Sequence, residues 1–340
     1  MSNITSWQKK ILATAWFTYA SFYLLRVNIS VAIPGIIEEF GISKTEIGGV
    51  LTALFVAYAV GQFINGQFGD NLSAKKLVAI GLFGSTLINF IFGYTSGILL
   101  SMVLLWGING FFQSMGWAPT VKIVASWFPP HKRGRAAGIL GSSYQIGNAA
   151  SWLLAGFIVR HLGWRFVFWV PIVITLLILI GWVNRLKEKA EDRGFKPVEI
   201  ARKTNGLKDT IGSTLKNRKI WTVALGLFSL NIVRYGFLSW APTYFFEVQK
   251  ATISTAAYKS LIFPIAGSLG ALSTGWFSDK FFRGRRTPIA VVMLVLLGLI
   301  SLYFPHVPQQ NWILSLVILA IIGFLTFGPH MLMVTALPMD

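Results

Sequence analysis

Cysteine is absent from the 340 residues, and acidic residues number only twelve. The first absence excludes disulfides, thiolate metal centres and a cysteine nucleophile. Histidine occurs four times, and His131, His161 and His306 fall between apolar runs, so no metal-ligand cluster is expected. The sequence also lacks a Walker-type G-x-x-x-x-G-K-[ST] run and any visible pairing of nucleophile and base. Neither an enzyme nor a cofactor requirement is expected. Charge of either sign is thin: 12% of residues are Asp, Glu, Lys or Arg, against ~25% in a soluble domain.

What is present is apolar. Hydrophobic residues make up 54% of the chain and mean hydropathy is +0.63, which indicates an all-α membrane protein crossing the bilayer many times. Ten spans are predicted, at about 11–36, 46–69, 76–95, 98–126, 135–159, 165–185, 220–246, 255–278, 287–304 and 311–337. The first run is too long for a signal-peptide core and has no small-residue cleavage site. Between the sixth and seventh spans lies the one long polar segment, so the chain divides into a half at 1–185, a linker at 186–219 and a second half at 220–340.

The net charge of +18 would suggest nucleic acid if it lay on one soluble face. Here it lies in short loops, and the bilayer is the partner it implies. With the N-terminus in the cytoplasm, twenty-two of the thirty Lys and Arg residues face inward. Five face outward: Lys44, Arg160, Arg165, Lys250 and Lys259. That imbalance predicts a cytoplasmic N-terminus and linker in a prokaryotic inner membrane. Trp7, Trp164, Trp182, Trp221 and Trp312, near span ends, are expected to be interfacial anchors.

The remaining three cations, Arg26, Lys122 and Arg234, lie within spans. A charge at mid-bilayer costs ~3 kcal/mol on insertion scales, which marks such a residue as functional. All twelve acids lie in loops or at helix ends, so Arg26 and Arg234 have no carboxylate at their depth. Two guanidiniums facing one cavity would repel when empty and bind an anion through forked hydrogen bonds. Tyr19 and Tyr23 precede Arg26 by seven and three residues and fall near its helix face. Trp117, Gln62, Gln113, Tyr144 and Gln145 are candidate cavity residues from spans 4, 2 and 5. Pro34, Pro119, Pro242 and Pro329 are expected to bend spans 1, 4, 7 and 10 along the pathway. His330, in span 10, is the one mid-span candidate for a proton relay and reads as a hydrogen-bonded packing residue.

Arg234 follows Arg26 by 208 positions, and Asp279 follows Asp70 by 209. Gly66 to Lys76 and Gly275 to Arg286 each place a glycine, an aspartate and a basic turn after spans 2 and 8. This is an internal repeat.

The two loops resemble the signature of the major facilitator superfamily. Tyr23-Leu-Leu-Arg26-Val-Asn28, Gly110 to Pro119 and Arg234 to Tyr244 are similar to its organophosphate:inorganic-phosphate antiporters. The resemblance implies two pseudo-symmetric six-helix halves, of which ten of twelve spans lie in this sequence. A ten-span chain is expected to transport poorly. It also implies an alternating-access carrier, expected as a monomer, for a small anion such as a phosphate ester or inorganic phosphate. Substrate binding would fall to Arg26 and Arg234, and a cytoplasmic gate to Gly66, Asp70, Gly275, Asp279 and Arg283. Gln62 and Tyr144 stand where the glycerol-3-phosphate carriers have a lysine and a histidine, which leaves another phosphorylated or carboxylated anion open. Alternatives are a proton- or sodium-coupled organic-anion symporter and a carrier-like sugar-phosphate sensor.

Overall fold

The computed structural model describes residues 4–195, 216–282 and 286–336; in a few helical stretches, among them 67–71 and 278–279, it describes backbone alone. The described residues are helical, with no strand among them. In order the helices are α1 Ile4–Leu24, α2 Ile29–Phe40, α3 Lys44–Asn71, α4 Ala74–Phe92, α5 Leu99–Gln113, α6 Trp117–Trp127, α7 Pro130–Leu162 and α8 Phe166–Arg185. After the linker come α9 Arg218–Glu247, α10 Ile253–Ser260, α11 Ile262–Phe282, α12 Arg286–Tyr303 and α13 Trp312–Met331. Each of the ten predicted spans coincides with one helix or with a broken pair, α1 with α2, α5 with α6 and α10 with α11. Among the described residues, eight stretches are long and apolar enough to cross a membrane. The α7 helix is not among them, because it carries the buried polar residues Ser143, Gln145, Asn148 and Ser151 in its middle.

The chain forms two compact units, Met1–Ile200 with Thr252–Ala257, and Ala201–Ala251 with Tyr258–Asp340. Both bury polar side chains within an apolar interior and expose large apolar side chains. In the first unit Asn89, Asn109, Gln113 and Asn148 have no exposed surface, while Phe63, Leu100 and Leu177 are each about two-thirds exposed. In the second, Thr326 is fully buried while Leu272 and Leu302 are three-quarters exposed. Long apolar side chains over the whole perimeter are what a lipid solvent selects.

Close helix crossings depend on glycine. A Cβ on Gly110 of α5 would lie 2.2 Å from the Leu54 carbonyl oxygen of α3, and one on Gly270 of α11 would lie 2.2 Å from that of Phe324 in α13. Small residues let membrane helices approach to backbone contact, where dispersion replaces the missing hydrophobic drive.

Two expectations are corrected. Trp182 is not an interfacial anchor: it is fully buried and donates from Nε1 to the Lys75 carbonyl at 2.9 Å, tying the end of α8 to α4. The first span does not break at Pro34, which lies inside α2. It is broken eight residues earlier, at 25–28, where there is neither proline nor glycine. The fourth span breaks at 114–116, and Pro119 falls in the first turn of α6, where its missing N–H leaves no bond unmade.

Candidate functional site

Arg26 lies in the break of the first span. There the backbone bonds tighten to i→i+3, with Leu25 N–H donating to Phe22 at 3.2 Å and Arg26 N–H to Tyr23 at 3.3 Å. The break is held from outside by side-chain amides. Asn89 of α4 and Asn109 of α5 both donate to the Leu25 carbonyl, at 3.0 and 2.9 Å, and Gln113 of α5 donates to that of Phe22 at 3.1 Å. Asn28, at the far edge, donates to Asn89 Oδ1 at 2.9 Å and to the Val167 carbonyl at 3.2 Å. Two neighbouring helices, α4 and α5, thus satisfy the backbone that a break would otherwise leave stranded in an apolar interior.

The Arg26 side chain, 7% exposed, donates from Nε to Gln113 Oε1 at 3.0 Å. One glutamine therefore receives the guanidinium with its oxygen and braces the backbone with its nitrogen. The guanidinium carbon lies 4.9 Å from the Tyr23 ring centre and 4.8 Å from that of Tyr58, so two aromatic rings flank the charge. Tyr19 extends the cluster, edge-on to Tyr23 at 5.8 Å and 4.8 Å from Trp117. Tyr144 lies 6.4 Å from Tyr23. Of the residues expected in the first half-site, then, Tyr19, Tyr23, Trp117 and Tyr144 gather with Arg26. Gln62 is one step removed: it is half-buried and donates to the Ser114 carbonyl at 3.3 Å, in the break of the fourth span. Gln145 is buried on α7, and its Nε2 has no hydrogen-bond partner among the described residues.

The second unit builds its arginine site differently. Arg234 sits in the middle of α9, a continuous helix of 30 residues, and is 5% exposed. Its Nη1 lies 3.0 Å from Nε2 of His330 on α13 and 3.4 Å from Asn231 Oδ1. A guanidinium can only donate, so His330 Nε2 accepts, and the neutral ring carries its proton on Nδ1. Tyr235 at 5.0 Å and Phe327 at 5.2 Å flank the charge. The reading of His330 as a hydrogen-bonded packing residue did not name Arg234 as its partner; a histidine one residue after Pro329 in a span with no other titratable group was the available signal. Tyr58, Asn89 and Asn109 were also missed. Asn148, three residues along α7 from Gln145, has no hydrogen-bond partner among the described residues for either amide atom.

The expected gate residues divide between the two repeats. Gly66 is exposed near the end of α3. Asp70 and Asp279 lie in the last turns of α3 and α11, and Gly275 in α11, with only their backbone described; Arg283 lies outside the described residues. The acid found at the N-terminus of α4 is Glu188. It accepts from Ala74 N–H at 2.9 Å and from the Ser73 hydroxyl, where the helix dipole favours a carboxylate.

Comparison with known proteins agrees with this architecture. The family model of the Major Facilitator Superfamily matches residues 15–340. The glycerol-3-phosphate transporter of Bacillus subtilis is 32% identical over 92% of this chain and 74% of its own length. A probable hexose phosphate transport protein of Chlamydia pneumoniae is 28% identical over 96% and 76%. The membrane sensor protein UhpC of Escherichia coli is also 28% identical, over 96% and 77%. Among solved structures, a bacterial homologue of the human lysosomal transporter Spinster, inward-facing and unoccupied, superposes with a TM-score of 0.77 at 17% identity, covering 95% of this chain and 74% of that one. The chain is a multi-pass membrane protein that belongs to the Major Facilitator Superfamily of secondary transporters and is related within it to the glycerol-phosphate and hexose-phosphate carriers.

Proposed function

We propose that the protein exchanges an organic phosphate ester for inorganic phosphate by alternating access, with Arg26 and Arg234 together holding the anion. One observation carries the reading: each unit buries an arginine on its first span and gives it a neutral acceptor, Gln113 or His330. A neutral acceptor orients a guanidinium without cancelling its charge, which suits each arginine to an anionic ligand. The aromatic rings around Arg26 exclude water and strengthen whatever interaction the charge makes. The glycerol-3-phosphate and hexose phosphate relatives favour a phosphate ester as the anion. The N-terminus and linker are placed in the cytoplasm of a bacterial cell, on the side where basic residues concentrate. Asp70 and Asp279 would hold the gate on that side.

The test is exchange in proteoliposomes. Vesicles loaded with inorganic phosphate should take up labelled phosphate esters, and empty vesicles should not. Uptake into empty vesicles driven by a proton gradient would overturn antiport. That second outcome is favoured by one feature, the imidazole of His330 against Arg234. Saturable ester binding without any uptake would point instead to a sensor.

A further inference from the structure

Away from both arginines, a cleft of about 620 Å³ opens in the first unit between the start of α1 and the end of α8. Trp7, Lys10, Ile11, Thr14 and Phe17 line it from one face of α1, at the spacing that stacks side chains along a helix. Arg185, the last residue of α8, and Arg193, on the turn Ala190–Arg193, close the other side. The cleft thus carries two kinds of wall: three cations, Lys10, Arg185 and Arg193, and the apolar Phe17, seven positions along α1 from Lys10 and 59% exposed.

The cationic end is built rather than trailing. Arg193 lies 4.3 Å from the Trp7 ring centre and Lys10 5.3 Å, so two cations share one indole. Trp7 in turn stacks on Trp127 at 6.1 Å. The segment carrying Arg193 is strapped down: Trp127 Nε1 donates to the Lys187 carbonyl at 3.0 Å, the Ser126 hydroxyl to that of Glu188 at 2.7 Å, and Lys75 Nζ to that of Leu186 at 2.9 Å. Two of the nearby acids are occupied elsewhere. Glu188 serves the start of α4, and Asp192 accepts from Lys189 N–H at 3.0 Å, leaving Glu191 exposed on the turn. Among the described residues, none of Lys10, Arg185 and Arg193 makes an ion pair.

We infer that this cleft is a binding site for an anionic phospholipid, its phosphodiester among Lys10, Arg185 and Arg193 and an acyl chain along Phe17. A soluble phosphate ester would satisfy the cations and leave the apolar wall uncovered; an amphiphile covers both. The site lies on the side that the basic-residue count assigns to the cytoplasm, where anionic lipid attracts basic side chains.

The test is native mass spectrometry of the purified protein with phosphatidylglycerol, with phosphatidylcholine, and with phosphatidylglycerol plus millimolar inorganic phosphate. Phosphatidylglycerol should be retained preferentially and should resist phosphate. Each of K10Q, R185Q and R193Q should lower its retention about fivefold, the factor of ~1 kcal/mol per surface cation. R185K and R193K keep the charge and should retain the lipid, which separates loss of the site from loss of the fold. Equal retention of the two lipids, unchanged retention in the three glutamine variants, or displacement by inorganic phosphate would each overturn the proposal.

Discussion

The two buried arginines occupy corresponding places in the repeat, yet the chain holds them by opposite means. In the first unit the helix is broken at the arginine and the backbone is repaired by Asn89, Asn109 and Gln113. In the second the helix runs unbroken past Arg234, and no comparable set of amides reaches its backbone among the described residues. The acceptor differs as well. It comes from the fourth span of each half, but it is a glutamine in one and a histidine in the other. Duplication has thus preserved which helices supply the charge and its acceptor, and has let the chemistry of the acceptor diverge. A broken helix can change its angle at the break with little loss of backbone bonding, whereas a continuous one moves as a rod. The first half-site is therefore the one whose geometry can be adjusted locally.

The largest expected effect tests the equivalence of the two arginines. Arg26→Lys and Arg234→Lys retain the charge and lose the fork, so each should weaken phosphate-ester binding by about 10- to 100-fold, the worth of one charge-assisted hydrogen bond. Equilibrium binding in detergent reads this directly. A full loss in one variant with unaltered affinity in the other would show that one unit binds the anion alone.

Next come the helix crossings. Gly110→Ala and Gly270→Ala each force a methyl group against a carbonyl oxygen, where the Cβ would lie at 2.2 Å. Each should destabilise the protein by about 1–3 kcal/mol, the usual cost of overpacking. Because the two crossings are built alike, the fall in melting temperature should be similar in both. A drop confined to one would mean that the units differ in packing as well as in their arginine sites.

The break itself gives a smaller, asymmetric prediction. Asn89→Leu removes a donor from the Leu25 carbonyl and the acceptor of Asn28, and should cost about 1–2 kcal/mol. Asn231→Leu removes a bond of only 3.4 Å to Arg234 and should cost under ~0.5 kcal/mol. Thermal unfolding of the two variants side by side measures the difference, and equal losses would deny the break its special dependence on side-chain bonds.

These contrasts also mark where the sequence was readable. The spans, the repeat and both arginines follow from hydropathy and from offsets of 208 and 209 positions, because lipid imposes one rule on every residue it touches. The break at 25–28 follows from nothing local: Leu-Arg-Val-Asn carries no helix breaker, and the amides that stabilise it lie 61 to 91 residues away in sequence. Proline gave no guide to the breaks, since Pro34 and Pro242 lie inside helices. Trp182 looked interfacial because it lies near a span end; its indole is instead buried and bonded to the Lys75 carbonyl, 107 residues away in sequence.

The smallest effect concerns the acceptor chemistry that separates the two half-sites. Gln113 cannot titrate, while His330 accepts from Arg234 only when its ring is neutral, and protonation would break that bond and set a second cation beside the guanidinium. His330→Gln replaces the imidazole with the acceptor the first unit already uses. Both side chains are neutral and accept from the guanidinium, so affinity for a single phosphate ester should stay within about threefold of wild type. Equilibrium binding to the two proteins measures it, and a loss as large as that of Arg234→Lys would show that the imidazole does more than orient the arginine.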